Sequence, residues 1–165
     1  FLAFEKSVEL SENISEPLKK ADSLIMTGGE MAEKHQKVEA KAILEKAQSI
    51  LNTLPDSKEK MKLLTELSKN LGQSFNIDSA LELANTMNNP YEKGEALIKI
   101  IKNLKKMHKE QEAYKLLKSV FDLAKDIDLN YEKAILYRKI ATEYINFDKK
   151  TEAKLALNKA YLLVV

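Results

Sequence analysis

The sequence predicts an all-α fold, an α-solenoid of about four antiparallel two-helix repeats. Three observations lead there. Ala, Glu, Lys, Leu and Arg make up just over half of the 165 residues, while Gly and Pro together supply seven. That mixture favours helices and argues against sandwiches, barrels and collagen-like chains. Apolar residues recur at helical spacing: Ala113, Leu116, Leu117, Val120, Leu123, Ala124 and Ile127 fall on one helix face. The pattern then repeats, since Ala40, Ile43, Leu44, Ala47, Ile50, Leu51 and Leu54 match it position for position, 73 residues earlier.

Taken in chain order, the spacing predicts eight helices, over roughly 17–33, 37–53, 58–71, 78–88, 91–107, 110–127, 131–146 and 150–164. Residues 1–16 are expected to be the tail of a preceding helix. Pro17, Pro55 and Pro90 each stand at or just ahead of a helical stretch, where proline is tolerated because its missing N–H would have no partner anyway. Asn89-Pro90-Tyr91-Glu92 reads as an N-cap, a first-turn proline and a carboxylate reaching back. Asp56-Ser57-Lys58-Glu59 has the same spacing, with Asp56 in the cap place. The prolines therefore mark helix starts, not linkers. One repeat domain over 1–165 is expected, with units at 17–54, 55–89, 90–128 and 129–165.

A fixed period ties the helices together. Tyr91-Glu92-Lys93 returns as Tyr131-Glu132-Lys133, and Glu112-Ala113 as Glu152-Ala153, both forty residues later. Units placed on Ala40, Ala80, Ala113 and Ala153 are spaced 40, 33 and 40 apart. In that register Leu24, Leu64, Leu97 and Tyr137 coincide. So do Thr27, Leu67, Ile100 and Ile140, and then Met31, Leu71, Leu104 and Tyr144.

A small residue, a large apolar or aromatic residue, then Ala opening a second helix resembles the tetratricopeptide repeat. The last unit carries the resemblance best, through Tyr137, Ile140, Ala141, Tyr144, Ala153, Leu157 and Ala160. The first supplies Leu24, Thr27, Gly28, Met31, Ala40, Leu44 and Ala47. Gly28, Ser68 and Ala141 would sit where paired helices pass closest, with the four Ala residues opposite. Ile101 departs from that pattern, and its hairpin should splay or repack. Because the motifs are degenerate, a HEAT-like array is the other two-helix solenoid that fits.

Little in the sequence carries chemistry. Without cysteine there is no disulfide, thiolate ligand or cysteine nucleophile, and the compartment stays open. No apolar run approaches the ~18–20 residues that span a bilayer. His35 and His108 hold equivalent repeat positions at helix ends, where a polar residue can satisfy terminal carbonyls. Thr27-Gly28-Gly29-Glu30 lacks the Lys-Ser or Lys-Thr and the preceding strand of a phosphate loop. Carboxylate pairs such as Asp122 and Asp126 are ordinary on solvated helices. No catalytic residue, metal or cofactor is expected.

What remains is a binding surface. Lys99, Lys102, Lys105, Lys106 and Lys109 share one arc of a helix. In the resembled family the first helix of each hairpin lines a concave groove. The resemblance thus directs Lys62, Thr65, Lys69, Ile98, Lys102, Lys105, Lys106, Arg138, Thr142 and Asn146 toward such a groove. A protein or peptide partner of acidic character is the expectation, the chain acting as a non-catalytic scaffold. The family's asparagine-and-lysine clamp for a carboxylate is not matched, because Ile25, Ile98, Lys69 and Lys102 hold its places. Nucleic acid is disfavoured by a net charge of +2 and a single arginine, Arg138. Tyr161, Leu162, Leu163, Val164 and Val165 end the chain with apolar residues and no cap. Either the natural chain continues past them, which is the first expectation, or Tyr161, Leu162, Leu163 and Val165 form an oligomer surface.

Overall fold

The computed structural model describes residues 2–73 and 76–164. The fold is all-α. Its helices are α1 (Leu2–Glu12), α2 (Pro17–Glu33), α3 (Lys37–Asn52), α4 (Lys58–Gln73), α5 (Ile77–Asn85), α6 (Pro90–Lys106), α7 (Glu110–Leu123), α8 (Asn130–Asn146) and α9 (Lys150–Leu162). Residues 2–12 are helical, and this helix packs against α2. α7 gives way to a 3-10 turn at Ala124–Asp126, and Ile127 is extended yet 2% exposed, so the apolar stripe outlasts the helix.

The first and second helices of each repeat are joined by one turn, built the same way each time. In the first hairpin the Gln36 N–H donates back to the Met31 carbonyl at 2.9 Å, and the Gln36 carbonyl accepts from Ala40 N–H at 2.9 Å. Asn76, Lys109 and Lys149 repeat this, donating to Leu71, Leu104 and Tyr144 and accepting from Ala80, Ala113 and Ala153. These residues stand 40, 33 and 40 apart, in the register of the alanines. His35, His108 and Asp148 precede three of them with φ of 66°, 58° and 53°. Their own N–H groups donate to Ala32, Lys105 and Ile145. Both bonds together make the left-handed helix stop usually given to glycine. The histidines thus serve through their backbone conformation at the helix ends.

Two of the other helix starts, those of α6 and α4, follow from side-chain caps. The Asn89 Oδ1 accepts from Tyr91 N–H at 2.9 Å and Glu92 N–H at 3.2 Å, with Pro90 in the first turn. At α4 the cap is Ser57, not Asp56: the Ser57 Oγ accepts from Lys60 N–H at 3.1 Å and its carbonyl from Met61 N–H. Asp56 instead meets the Lys60 ammonium at 3.1 Å, which also donates to the Leu54 carbonyl at 2.7 Å. α5 ends at Asn85 rather than 88. The chain must leave the helix before Asn89, which Pro90 holds extended (ψ 118°).

The contacts divide the chain into two compact units, residues 1–84 and 85–165. In the first unit α2 packs against α3, α4 and α1. Two of its glycines are contact points: a Cβ on Gly28 would stand 2.8 Å from Leu44, and one on Gly29 2.6 Å from the Asn70 amide. Asn70 is buried and donates to the Ile25 carbonyl at 3.1 Å. The Ser68 hydroxyl donates to the Ala80 carbonyl at 3.0 Å, tying α4 to α5 at the small-residue place. α1 is fastened by Glu12, which meets Lys20 at 3.0 Å and Lys46 at 2.9 Å. Those hydrogen bonds, Lys46 first, hold its carboxyl below the usual range.

In the second unit α6 pairs with α7 and α8 with α9, while α8 packs on both α6 and α7. Gly94 lies against Leu136, which a Cβ would approach to 2.5 Å. α6 and α7 stay close over less of their length than α8 and α9 do. Ile101, fully buried, fills the place where the last hairpin has Ala141. Across both units every residue of the three apolar columns and all four register alanines are buried.

Two stability predictions follow from the seam and the turn. Ala113, 0% exposed, has no room, so Ala113→Leu should destabilise by about 1–3 kcal/mol. Lys115→Leu on the exposed face should stay within about 0.5 kcal/mol. Thermal melts read both, and equal effects would mean the register is wrong. Asp148 combines a positive φ with a carboxylate at a helix C-terminus, so Asp148→Gly should stabilise by about 1 kcal/mol. Asp148→Val should destabilise, as urea titration would report.

Candidate functional site

The lysine arc of α6 is largely engaged within its own unit. The Lys102 ammonium lies 3.5 Å from Glu143 on α8, whose side chain is 3% exposed. The Lys105 ammonium donates to the Asn146 carbonyl at 2.8 Å and sits 4.4 Å from the Phe147 ring centre. The Asn146 amide donates to Glu143 at 3.2 Å, and Lys139 grips Glu95 at 2.6 Å. The three lysine contacts fasten α6 to α8, while the Asn146–Glu143 bond lies within α8. Lys102, Lys105 and Asn146 thus take part in contacts between α6 and α8, while Lys102 and Asn146 keep exposed surface. Ile98 is corrected as a ligand contact: it is 3% exposed and offers no surface. Lys106, Arg138 and Thr142 remain exposed, with the Thr142 hydroxyl donating to the Arg138 carbonyl at 3.2 Å.

In the first unit Lys62 is exposed, whereas Thr65 and Lys69 are half-buried. The Thr65 hydroxyl donates to the Met61 carbonyl, and Lys69 pairs with Glu66 at 2.6 Å. This unit has two clefts. One of about 490 Å³ lies between α1 and the α2–α3 turn, with Phe4, Val8, Met31 and Ile43 inside and Glu5, Glu9 and Glu39 around it. The other, about 780 Å³, includes Ile14, Pro17, Lys20, Lys46 and Ile50.

An open apolar surface lies at the end of the second unit. Between α8 and α9 runs a groove of about 330 Å³ bordered by Tyr131, Ile135, Arg138, Leu157, Tyr161 and Val164. Tyr131 is 73% exposed, Tyr161 64% and Leu162 76%. Leu163 is half-buried, and Val165 lies outside the described residues. On the other side of α8 the aromatic residues are covered. Phe121 of α7 sits edge-on to Tyr137 at 5.4 Å, and Tyr114 to Tyr144 at 6.3 Å. Burial pushes the Tyr144 phenol up to about 12, helped by Tyr114 and Glu152, so it stays neutral across physiological pH. Burial likewise pushes Tyr91 to about 12, with Glu95, Glu92 and Glu132 nearby.

Glu143 escaped the sequence reading, although a signal was there. It shares a repeat column with Asn70 and Asn103, and all three are buried polar residues. Such a column announces partners on a neighbouring helix. Glu95 and Lys139 gave no comparable sign, because their pairing joins residues 44 apart. Among the described residues no three His, Asp or Glu side chains gather as a metal site, and no helix is long and apolar enough to cross a membrane.

No family model and no curated protein sequence matches the chain. Two solved structures are similar to it. MamA MSR-1 C2 is 19% identical, with 98% of this chain and 87% of that one covered, at a TM-score of 0.44. A Podospora anserina kinesin light chain with nearly identical TPR-like repeats is 16% identical, with 91% and 97% covered, at a TM-score of 0.38.

The contact with Glu143 separates two neighbouring lysines. Lys102→Met leaves the buried Glu143 carboxylate without its cation and should cost about 1–3 kcal/mol. Lys106→Met should change stability by no more than about 0.5 kcal/mol. Chemical denaturation compares them, and matched values would restore Lys102 to the solvated face.

Proposed function

We propose that the chain is a non-catalytic protein-interaction scaffold and that a segment of a protein partner docks in the groove between α8 and α9. One observation carries the reading: Tyr131, Leu157, Tyr161 and Val164 are each 45–73% exposed around a single groove. Surface apolar side chains are ordinary when scattered, but a contiguous set rimmed by polar residues marks an interaction site. An acidic segment suits the groove, because Arg138 is the charged side chain among its lining residues. Much of the remaining basic face is neutralised by its own helices, so charge there supplies orientation and encounter rate more than grip.

Photo-crosslinking in cells tests the reading. A benzophenone side chain at position 157 should capture a protein adduct, and the same group at position 115, on the exposed face of α7, should not. Capture from position 106 alone would move the site to the basic face of α6. An adduct of twice the chain mass at position 157 would make the groove a self-assembly surface. No adduct at either 106 or 157 would remove the scaffold reading.

A further inference from the structure

We infer that the first helices of the hairpins carry a pairing key: α8 fits α6, α4 fits α2, and neither fits in the other's place. The key is independent of the docking groove proposed above.

The repeat register brings the two pairings into one frame. Shifted by 73 residues, Asp22, Gly29, Glu66 and Asn70 become Glu95, Lys102, Lys139 and Glu143. Asn70 of α4 lies on Gly29 of α2 and donates to the Ile25 carbonyl at 3.1 Å. At the corresponding place Glu143 of α8, with its side chain 3% exposed, takes the Lys102 ammonium of α6 at 3.5 Å. A second place pairs Glu95 of α6 with Lys139 of α8 at 2.6 Å. There α2 and α4 present Asp22 and Glu66, both acidic, and Glu66 turns to Lys69 of its own helix. One crossing is thus ionic at both places. The other is neutral at the first and carries like charges at the second.

The apolar columns do not make this distinction. Leu24, Leu64, Leu97 and Tyr137 are buried alike, so apolar packing alone leaves the order of the first helices open. Similar hairpins in one chain can assemble wrongly, a characteristic failure of repeat proteins. Polar residues at the crossings disfavour the wrong orders. Were α4 to take the place of α8, Glu66 would stand against Glu95, carboxylate to carboxylate. Asn70 would meet Lys102, although a single Cβ at its present crossing would already come within 2.6 Å of its amide. Were α8 to take the place of α4, Glu143 would be buried against the Ile25 carbonyl, to which a carboxylate has no hydrogen to donate. Gly29 supplies no cation in return, so the charge would lie buried and uncompensated. Spacing acts in the same sense, since α2 and α4 stay close over more of their length than α6 and α8 do. The wider crossing has room for the Lys102 side chain.

The test uses the full chain. Glu95→Lys and Lys139→Glu each set like charges across α6 and α8, and the variant with both restores a pair of reversed sense. Each single reversal should melt about 3 °C or more below the parent, and the double reversal should recover most of that loss. At the buried place Lys102→Gly leaves Glu143 without its cation and should lower the melting midpoint. Adding Glu143→Asn writes the α2–α4 key into α6 and α8 and should raise it again. Refolding from urea separates a key from an ordinary brace. Size-exclusion chromatography should find less monomer after refolding of either single reversal than of Ala113→Leu, whose damage lies in an uncharged seam. The double reversal should return to the parent's yield. Equal monomer yields from the single reversals and Ala113→Leu would overturn the inference. So would a double reversal, or a Lys102→Gly, Glu143→Asn variant, that melts no higher than the single variants.

Discussion

Everything in the repeats hangs on the turn between their paired helices, where one residue's backbone serves two helices at once. Gln36, Asn76, Lys109 and Lys149 each close the first helix with their N–H and open the second with their carbonyl. A helix end leaves its last carbonyls and the next helix's first N–H groups without partners. A turn this short satisfies groups of both kinds and reverses the chain in so few residues that the helices must lie side by side. Where the helices touch, the residues are small: the register alanines are buried, Gly28 lies on Leu44, and Ser68 bonds the Ala80 carbonyl. The price is a left-handed residue at His35, His108 and Asp148. Asn, Asp and His tolerate that conformation better than most side chains.

This arrangement explains why the period survives a change in spacing from 40 to 33. The part that must be constant runs from Met31 to Ala40 and its equivalents, through the turn. The part that varies is the stretch after the turn, chiefly the second helix: α3 has 16 residues and α5 has 9, whereas the connections that follow them are of similar length. After α3, residues 53–57 lead to a helix capped by Ser57. After α7, a 3-10 turn and an extended Ile127 lead to α8. Different local devices close these stretches, so the sequence varies there without disturbing the seam.

Much of this was legible in the residues. Apolar spacing and the alanine register located all eight expected helices, because burial selects the same side-chain sizes each time a unit is repeated. The left-handed turns were not legible as such: glycine, their usual signal, is absent there, and two histidines and an aspartate do the work. The cap at Ser57 instead of Asp56 turned on one residue of register, which periodicity does not resolve. On the surface the limits were firmer. A lysine arc looks solvated from one helix alone, and the partners of Lys102 and Lys105 come from a helix forty residues on. Conversely, exposure of Leu157 and Tyr161 could not be read from their type, since Leu117 and Phe121 hold the same repeat places under cover. What separates them is whether another helix lies on top.

The central claim is that one backbone amide in each turn is a structural bond rather than a loop group. Native-state hydrogen exchange by NMR reads this directly. The Lys109 and Lys149 amides, which donate to Leu104 and Tyr144, should exchange as slowly as amides inside α6 and α8. The next amides, of Glu110 and Lys150, begin helices and lack an intrahelical acceptor, so they should exchange orders of magnitude faster. Equally fast exchange at all four amides would contradict the account, because the hairpins would then be held by packing alone.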